Sequence, residues 1–279
     1  MCVVFIKSNK NLTMKSVYYI IALLAMFSCT DQPNATTNKT ESNTKKTESN
    51  KNDVLVLGTI HSGHHKHEEF NLDVLTDLIK KIDPDVILTE IPPDRFDAAV
   101  EGFLRDDTIS EPRVLRFPEY VDVIFPLSKT MDFEMVPTAG WTKEMADKRS
   151  AQLRAISKDS TRAKDWEIYT EAGAKSDSLM KASGRQYDPY FINSDEYDKI
   201  AEIQLGTYND LFNEELGLGG WDNINKAHFG HIADALDKYS NQGKRILITY
   251  GAGHKGWFLR ALKKRDDVNI ISLAEAIGE

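Results

Sequence analysis

Short continuous apolar runs alternate along the chain with stretches in which apolar residues recur every three or four positions. The run at 54–57 precedes Leu72, Leu75 and Leu78, and a second apolar run follows at 86–89. A strand buried on both faces of a parallel sheet is apolar throughout, whereas an amphipathic helix buries one stripe. The alternation predicts an α/β fold with a mainly parallel central sheet flanked by helices.

The predicted strands share a continuous apolar run: 54–57, 86–89, 133–136, 245–250 and 268–273. The predicted helices share helical spacing of apolar residues: 70–81, 96–104, a helix that starts at Pro118, 224–239, 255–264 and 274–277. Residues at about 142–217 interrupt this order, because they are strongly charged and helical in periodicity throughout. We expect this insertion to be a helical cap over the strand ends; the alternative is an outlying helical pair unrelated to any site.

The first 52 residues differ in character from the rest. Residues 1–29 look like a signal peptide, whose apolar stretch is shorter than the ~20 residues that a membrane span needs, and they end in a loose lipobox at Cys29. Residues 30–52 form a polar tether that we expect to be disordered, and 53–279 form the α/β domain. The prediction is an exported lipoprotein of the bacterial cell envelope, anchored in the membrane through an acylated Cys29. The alternatives are cleavage without lipidation and an uncleaved anchor.

Composition excludes several classes of chemistry. The only cysteines are Cys2 and Cys29, both in the leader, so the domain has neither a thiol nucleophile nor a thiolate metal site. The chain has 35 basic and 43 acidic residues, a formal net charge of −8, which argues against nucleic acid as a partner. A nucleophile elbow of the form Gly-x-Ser-x-Gly is absent from the sequence, which disfavours a serine hydrolase triad.

One motif occurs twice, each time at the end of a predicted strand. Gly58-Thr59-Ile60-His61 follows the first strand, and Gly251-Ala252-Gly253-His254 follows the fourth. Glu90 follows the second strand. Open parallel sheets bind ligands beyond the carboxyl ends of their strands, so we expect His61, Glu90 and His254 to form one catalytic site. The alternative is that these histidines cap or pack.

The site residues suggest two ways of activating water. A divalent metal (Zn, Mn or Co) would bind His61, Glu90, His254 and His64, whereas without a metal Glu90 itself would act as the general base. His67 is expected to face solvent, and His228 and His231 are expected to pack within their helix. The predicted substrate contacts lie near the motifs: Gly58, Trp141, Asn225, Tyr250 and Gly251.

The two Gly-x-x-His motifs and Thr89-Glu90 resemble a superfamily that joins TraB and TIKI proteins, erythromycin-esterase-like enzymes and ChaN-like haem-binding lipoproteins. The block 243–254 is the most specific match, and it is similar to small bacterial members of the group. Ile224 stands where such relatives often carry an arginine before an asparagine, here Asn225. The resemblance implies the erythromycin-esterase or ChaN-like fold, with diverse functions.

We therefore expect a hydrolase of amide or ester bonds that acts on a small molecule or peptide. The alternative, also implied by the resemblance, is a ChaN-like carrier that binds haem or iron through its histidines and Tyr250. A third interpretation is a catalytically inactive scaffold.

Overall fold

The computed structural model describes residues 50–278. The predicted signal peptide, Cys29 and most of the predicted tether lie outside these residues. The first strand, β1, is Asn52–Thr59 and begins at the last residue of the predicted tether. Asn52 is buried there, because its side chain donates to the Tyr239 carbonyl (2.8 Å) and accepts from the Lys244 amide (2.8 Å).

The sheet is parallel throughout and contains five strands in the order β3-β2-β4-β1-β5. The other strands are β2 (Val86–Thr89), β3 (Glu134–Pro137), β4 (Arg245–Gly251) and β5 (Val268–Ile270). The predicted α/β fold is confirmed. The fifth strand ends three residues earlier than predicted, because Ser272 caps the helix that follows it.

The helices, in chain order, are α1 (Leu72–Ile82), α2 (Pro93–Asp106), α3 (Phe125–Leu127), α4 (Lys143–Ile156), α5 (Ala163–Ala182), α6 (Pro189–Ile192), α7 (Asp195–Phe212), α8 (Trp221–Lys238), α9 (Lys255–Leu262) and α10 (Leu273–Ile277). The predicted helix at 70–81 starts later, because the Asn71 side chain accepts from the Val74 amide and caps α1. The helix predicted from Pro118 begins as a π-helical turn at Glu119–Ile124. Within residues 50–278, no helix has the length and apolarity to cross a membrane.

The sheet is buried on both faces. Leu55 and Leu57 of β1 belong to the core on the side of α1 and α2, whereas Val54 and Val56 belong to the core beneath α8 and α9. Successive side chains of a strand point to opposite faces, so the apolar run of β1 supplies both cores at once. This explains why the strand sequences show no alternation of polar and apolar residues.

The helical insertion contacts the ends of two strands. Its Asn193 Oδ1 accepts a hydrogen bond from the Gly58 amide (2.7 Å) at the end of β1. The buried Lys255, which follows His254, pairs with Asp198 of α7 (2.6 Å) and donates to the Ser194 carbonyl. The insertion therefore contacts both Gly-x-x-His segments.

A close approach fixes the loop after β3 against α8. A Cβ atom at Gly140 would lie 2.6 Å from the Ala227 Cβ and 2.8 Å from its backbone. Such contacts cannot be accommodated without moving the loop or the helix. Gly230, on the same helix, has open space where a Cβ would be.

We predict that Gly140→Ala lowers the free energy of unfolding by about 1–3 kcal/mol, because the added methyl group overpacks this contact. Gly230→Ala is the matched control, and it should raise stability by up to about 1 kcal/mol through helix propensity. Urea denaturation of both variants measures the difference. Equal stability of the two variants would show that the close approach is absent.

Candidate active site

The carboxyl ends of β1, β2 and β4 bring His61, Glu90 and Gly251 together. The Gly251 amide donates to Glu90 Oε2 (2.9 Å), and His61 Nε2 lies 3.8 Å from the same oxygen. A Cβ atom at position 251 would be 2.5 Å from His61 Nε2, so glycine is required for this approach. Glu90 is 6% exposed, whereas the His61 side chain is 37% exposed.

A second carboxylate, Glu119, completes this cluster. It is fully buried in the π-helical turn, and its Oε1 accepts from the Thr59 hydroxyl (2.9 Å) and from His61 Nδ1 (2.6 Å). Its Oε2 is buried and has no hydrogen-bond partner among residues 50–278. The sequence reasoning missed Glu119, because its local pattern does not distinguish it from Asp122, an exposed carboxylate three residues later.

His61 is therefore held as an imidazolium between two carboxylates. Burial alone would lower its pKa, but the hydrogen bond to Glu119 and the charges of Glu119 and Glu90 raise the pKa to about 9. Burial raises the pKa of Glu90, and the His61 charge and the Gly251 amide offset part of that shift. The His61 backbone has a φ of 48°, in the left-handed region, which is uncommon outside glycine and recurs at functional sites.

His254 has the opposite character. Asn225 donates through Nδ2 to the Trp221 carbonyl (2.8 Å), so its Oδ1 faces His254 Nδ1 (2.7 Å) and accepts a hydrogen bond from it. This fixes the tautomer and leaves a lone pair on Nε2. Burial, with the charges of His61 and Arg149, lowers the pKa of His254 to about 3. Asn225, a predicted substrate contact, therefore orients the His254 ring.

His228 was expected to pack within its helix, but its ring lies beside that of His254. Its ring is 5.1 Å from that of His254 and 5.2 Å from that of Tyr250. Its Nδ1 accepts from the Gly140 amide (2.8 Å), so Nε2 carries the proton and, buried, finds no partner within the described part of the chain. Burial lowers the pKa of His228 well below its ordinary value, so the ring is neutral.

Two predicted substrate contacts, Tyr250 and Gly58, make close contacts within the fold. The Thr138 hydroxyl donates to the Thr89 carbonyl, so the buried Tyr250 hydroxyl donates to Thr138 (2.9 Å). Burial also raises the pKa of Tyr250 well above its ordinary value, which disfavours the tyrosinate that would bind haem iron. Gly58 lies against Ala252, where a Cβ atom would be 2.9 Å from the Ala252 Cβ.

Two histidines of the loop that follows the first motif differ from the predictions. The buried His64 accepts from the Ile60 amide through Nε2 and donates to the Phe70 carbonyl through Nδ1, so neither nitrogen is free to bind a metal. His67, expected in solvent, is half-buried and stacks on Tyr187. His65 is the exposed member of the loop.

The predicted divalent metal stays a prediction. His61 Nδ1 and both nitrogens of His64 are engaged in hydrogen bonds, so the predicted ligand atoms left for an ion are Nε2 of His61, Nε2 of His254 and the Glu90 carboxylate. Across residues 50–278, no group of three or more His, Cys, Asp or Glu side chains is arranged to hold a metal ion. We derive no step through a metal.

A cavity of about 570 Å³ lies near the cluster, although His61, Glu90 and Glu119 are not among the residues that line it. Trp141, a predicted substrate contact, lies in its wall with Arg113 and Arg149. The Arg113 guanidinium lies 5.9 Å from the centre of the Phe117 ring, which in turn lies 5.1 Å from the His61 ring. The volume suits a small organic molecule.

Comparison with known proteins leaves the resemblance untested. A scan against protein-family models, a search of curated proteins and a search of solved structures each found no match. The membership suggested by the motifs stays a prediction.

We predict that the two motif histidines titrate far apart. In side-chain ¹H–¹⁵N spectra recorded against pH, His61 should show a pKa near 9, whereas His254 should stay neutral down to acidic pH with its proton on Nδ1. Glu119→Gln should lower the His61 pKa, because the charge and the hydrogen bond of Glu119 raise it. Titration of His61 near 6.5 in both proteins would contradict this geometry.

The raised pKa of His61 also makes the stability of the protein depend on pH. Because the folded-state pKa of His61 exceeds its unfolded value, its contribution is full below pH 6.5 and is lost as pH rises through about 9. Glu119→Gln should flatten the pH dependence of the free energy of unfolding across that window.

Proposed function

We propose that this protein is a hydrolase of ester or amide bonds in which Glu90 activates water and His61 stabilises the developing oxyanion. The observation that supports the proposal most is the His61 imidazolium between Glu119 and Glu90, at a half-exposed strand end beside a cavity. The resemblance to erythromycin-esterase-like enzymes is a second, weaker support.

Glu90 has the properties of a general base. Its Oε2 accepts a hydrogen bond from the Gly251 amide, so Oε1 is the oxygen that would bind a water molecule. Burial raises its pKa towards the working pH, so it accepts a proton more readily than an ordinary carboxylate. In the proposed step, Glu90 takes one proton from water, and the resulting hydroxide attacks the carbonyl carbon.

His61 supplies the positive charge for the same step. Nδ1–H is committed to Glu119, so Nε2–H, which lies beside Glu90 and Gly251, is the donor left for a substrate. It would stabilise the oxyanion of the tetrahedral intermediate and then protonate the leaving alcohol or amine as the carbon–oxygen or carbon–nitrogen bond breaks. The proton on Glu90 returns to His61, whose Nε2 lies 3.8 Å from Oε2.

His254 would take part without changing charge. As a neutral imidazole with a free lone pair on Nε2, it can only accept a hydrogen bond there. It would therefore orient the attacking water or a donor group of the substrate. Asn225 is its positioning residue.

We expect Glu90→Gln and His61→Gln each to lower kcat by about 10²–10⁴-fold on 4-nitrophenyl esters or anilides, the range typical of lost acid–base catalysis. Glu90→Gln should keep the fold, whereas His61→Gln should lower the melting temperature because it leaves the buried Glu119 carboxylate without its cation, so rates are compared per folded protein below both melts. Thermal melts run beside the rate assay check this. His65→Gln, an exposed residue of the same loop, is the matched control.

If the variants unfold while their folded fraction keeps full activity, the residues are structural and the proposal fails. Loss of activity in His65→Gln as well would show that the loop, not the named groups, matters.

The proposal includes the location of the protein. We propose that it is an exported lipoprotein, because Leu24-Ala25-Met26-Phe27-Ser28-Cys29 resembles a lipobox and a polar segment follows it. Cys29→Ala should move the protein from the membrane fraction to the soluble envelope fraction, because the acyl chain provides the anchor. Unchanged membrane association would contradict the anchor at Cys29.

A further inference from the structure

The cavity beside the candidate active site is rich in cations, although the chain as a whole is acidic. Its wall includes five basic side chains: Arg95, Arg113, Arg116, Lys143 and Arg149. Three carboxylates share the wall, Asp94, Glu111 and Asp147, while the whole chain has a formal net charge of −8. A basic cavity on an acidic protein concentrates anions locally.

The carboxylates of the wall are already engaged. Asp94 and Glu111 pair with Arg95, and Asp147 pairs with Lys143. Glu111 also accepts hydrogen bonds from the backbone amides of Arg113 and Val114. Arg113, Arg116 and Arg149 therefore have no carboxylate partner within residues 50–278, and their charge is available to a ligand.

Two of these guanidinium groups are held in place without a charge partner. Arg149 donates through Nε to the Tyr208 hydroxyl (3.0 Å) and lies over the Trp141 ring, and its terminal amino groups have no hydrogen-bond partner among the described residues. Arg113 lies over Phe117, the aromatic neighbour of His61. Planar guanidinium groups of this kind bind carboxylates and phosphates in a two-point geometry.

The position of the two arginines links the cavity to the reacting groups. The aromatic ring beneath Arg113 lies 5.1 Å from the His61 ring, and the aromatic ring beneath Arg149 lies 6.1 Å from the His228 ring. Each arginine is thus one aromatic ring away from a histidine of the candidate site.

We propose that this cavity is the substrate-recognition subsite, and that it takes an acyl or leaving group with a carboxylate or phosphate. That the bound anion is a substrate depends on the proposed hydrolase function, whereas the anion site itself is inferred from the charges and the geometry of the cavity. Arg113 and Arg149 are the binding residues, and Trp141 packs against the carbon skeleton.

Calorimetry of the full chain with glutarate, with inorganic phosphate and with neutral glutaramide tests the binding step. We expect glutarate or phosphate to bind and glutaramide not to bind. Arg113→Gln and Arg149→Gln should each weaken binding by about tenfold or more, the effect of one lost charge-assisted hydrogen bond. The anion that binds more tightly identifies the source of the charge.

Arg154→Gln is the matched control, because Arg154 is an exposed residue of the same helix as Arg149 and lies outside the cavity wall. It should leave anion binding unchanged. Arg149→Lys guards against misfolding, since it keeps the charge and should weaken binding less than Arg149→Gln. Absence of anion binding, or equal weakening by Arg154→Gln, would overturn the subsite.

Hydrolysis of two matched esters separates this inference from the proposed function. The 4-nitrophenyl monoester of glutarate and 4-nitrophenyl pentanoate have acyl chains of equal carbon number but differ in charge. A preference for the glutarate ester in kcat/KM, lost in Arg113→Gln and Arg149→Gln, supports the subsite. Anion binding without hydrolysis of either ester would end the hydrolase proposal alone, whereas equal hydrolysis of both esters without anion binding would end the subsite alone.

Discussion

The hydrogen bond between the buried Glu119 carboxylate and His61 is the interaction on which the candidate site depends. A buried carboxylate is costly unless it is paired, and the only cationic partner that contacts Glu119 among residues 50–278 is the His61 ring. The pairing keeps His61 protonated and places its Nε2 beside Glu90. It also fixes the end of β1, because the Thr59 hydroxyl donates to the same carboxylate oxygen.

The protonated His61 then determines the behaviour of its neighbours. Its charge partly offsets the effect of burial on Glu90, and it lowers the pKa of His254 further. Two histidines from the same short motif thus differ by about six pH units in pKa. Environments that push the pKa values of neighbouring groups apart are the usual way in which one site holds both an acid and hydrogen-bond acceptors at neutral pH.

Much of the sheet could be predicted from the sequence, because a buried parallel strand leaves a local signal. Runs such as 86–89 and 245–250 predicted the strands to within a residue or two, and the residues at their ends, Glu90 and Gly251, meet at one edge of the sheet. Glu119, Arg113 and Arg149 gave no comparable signal, because they reach the site from elements distant in sequence. His64 was misjudged for a related reason, since its bonds to the Ile60 and Phe70 backbones depend on the shape of one loop.

Neutron diffraction from crystals of the deuterated protein near neutral pH tests the central claim most directly, because it locates the protons on each imidazole. The account predicts deuterium on both nitrogens of His61 and on Nδ1 alone of His254. A neutral His61, or a His254 that carries deuterium on Nε2, would contradict the account of how Glu119 and Asn225 set the charges of this site.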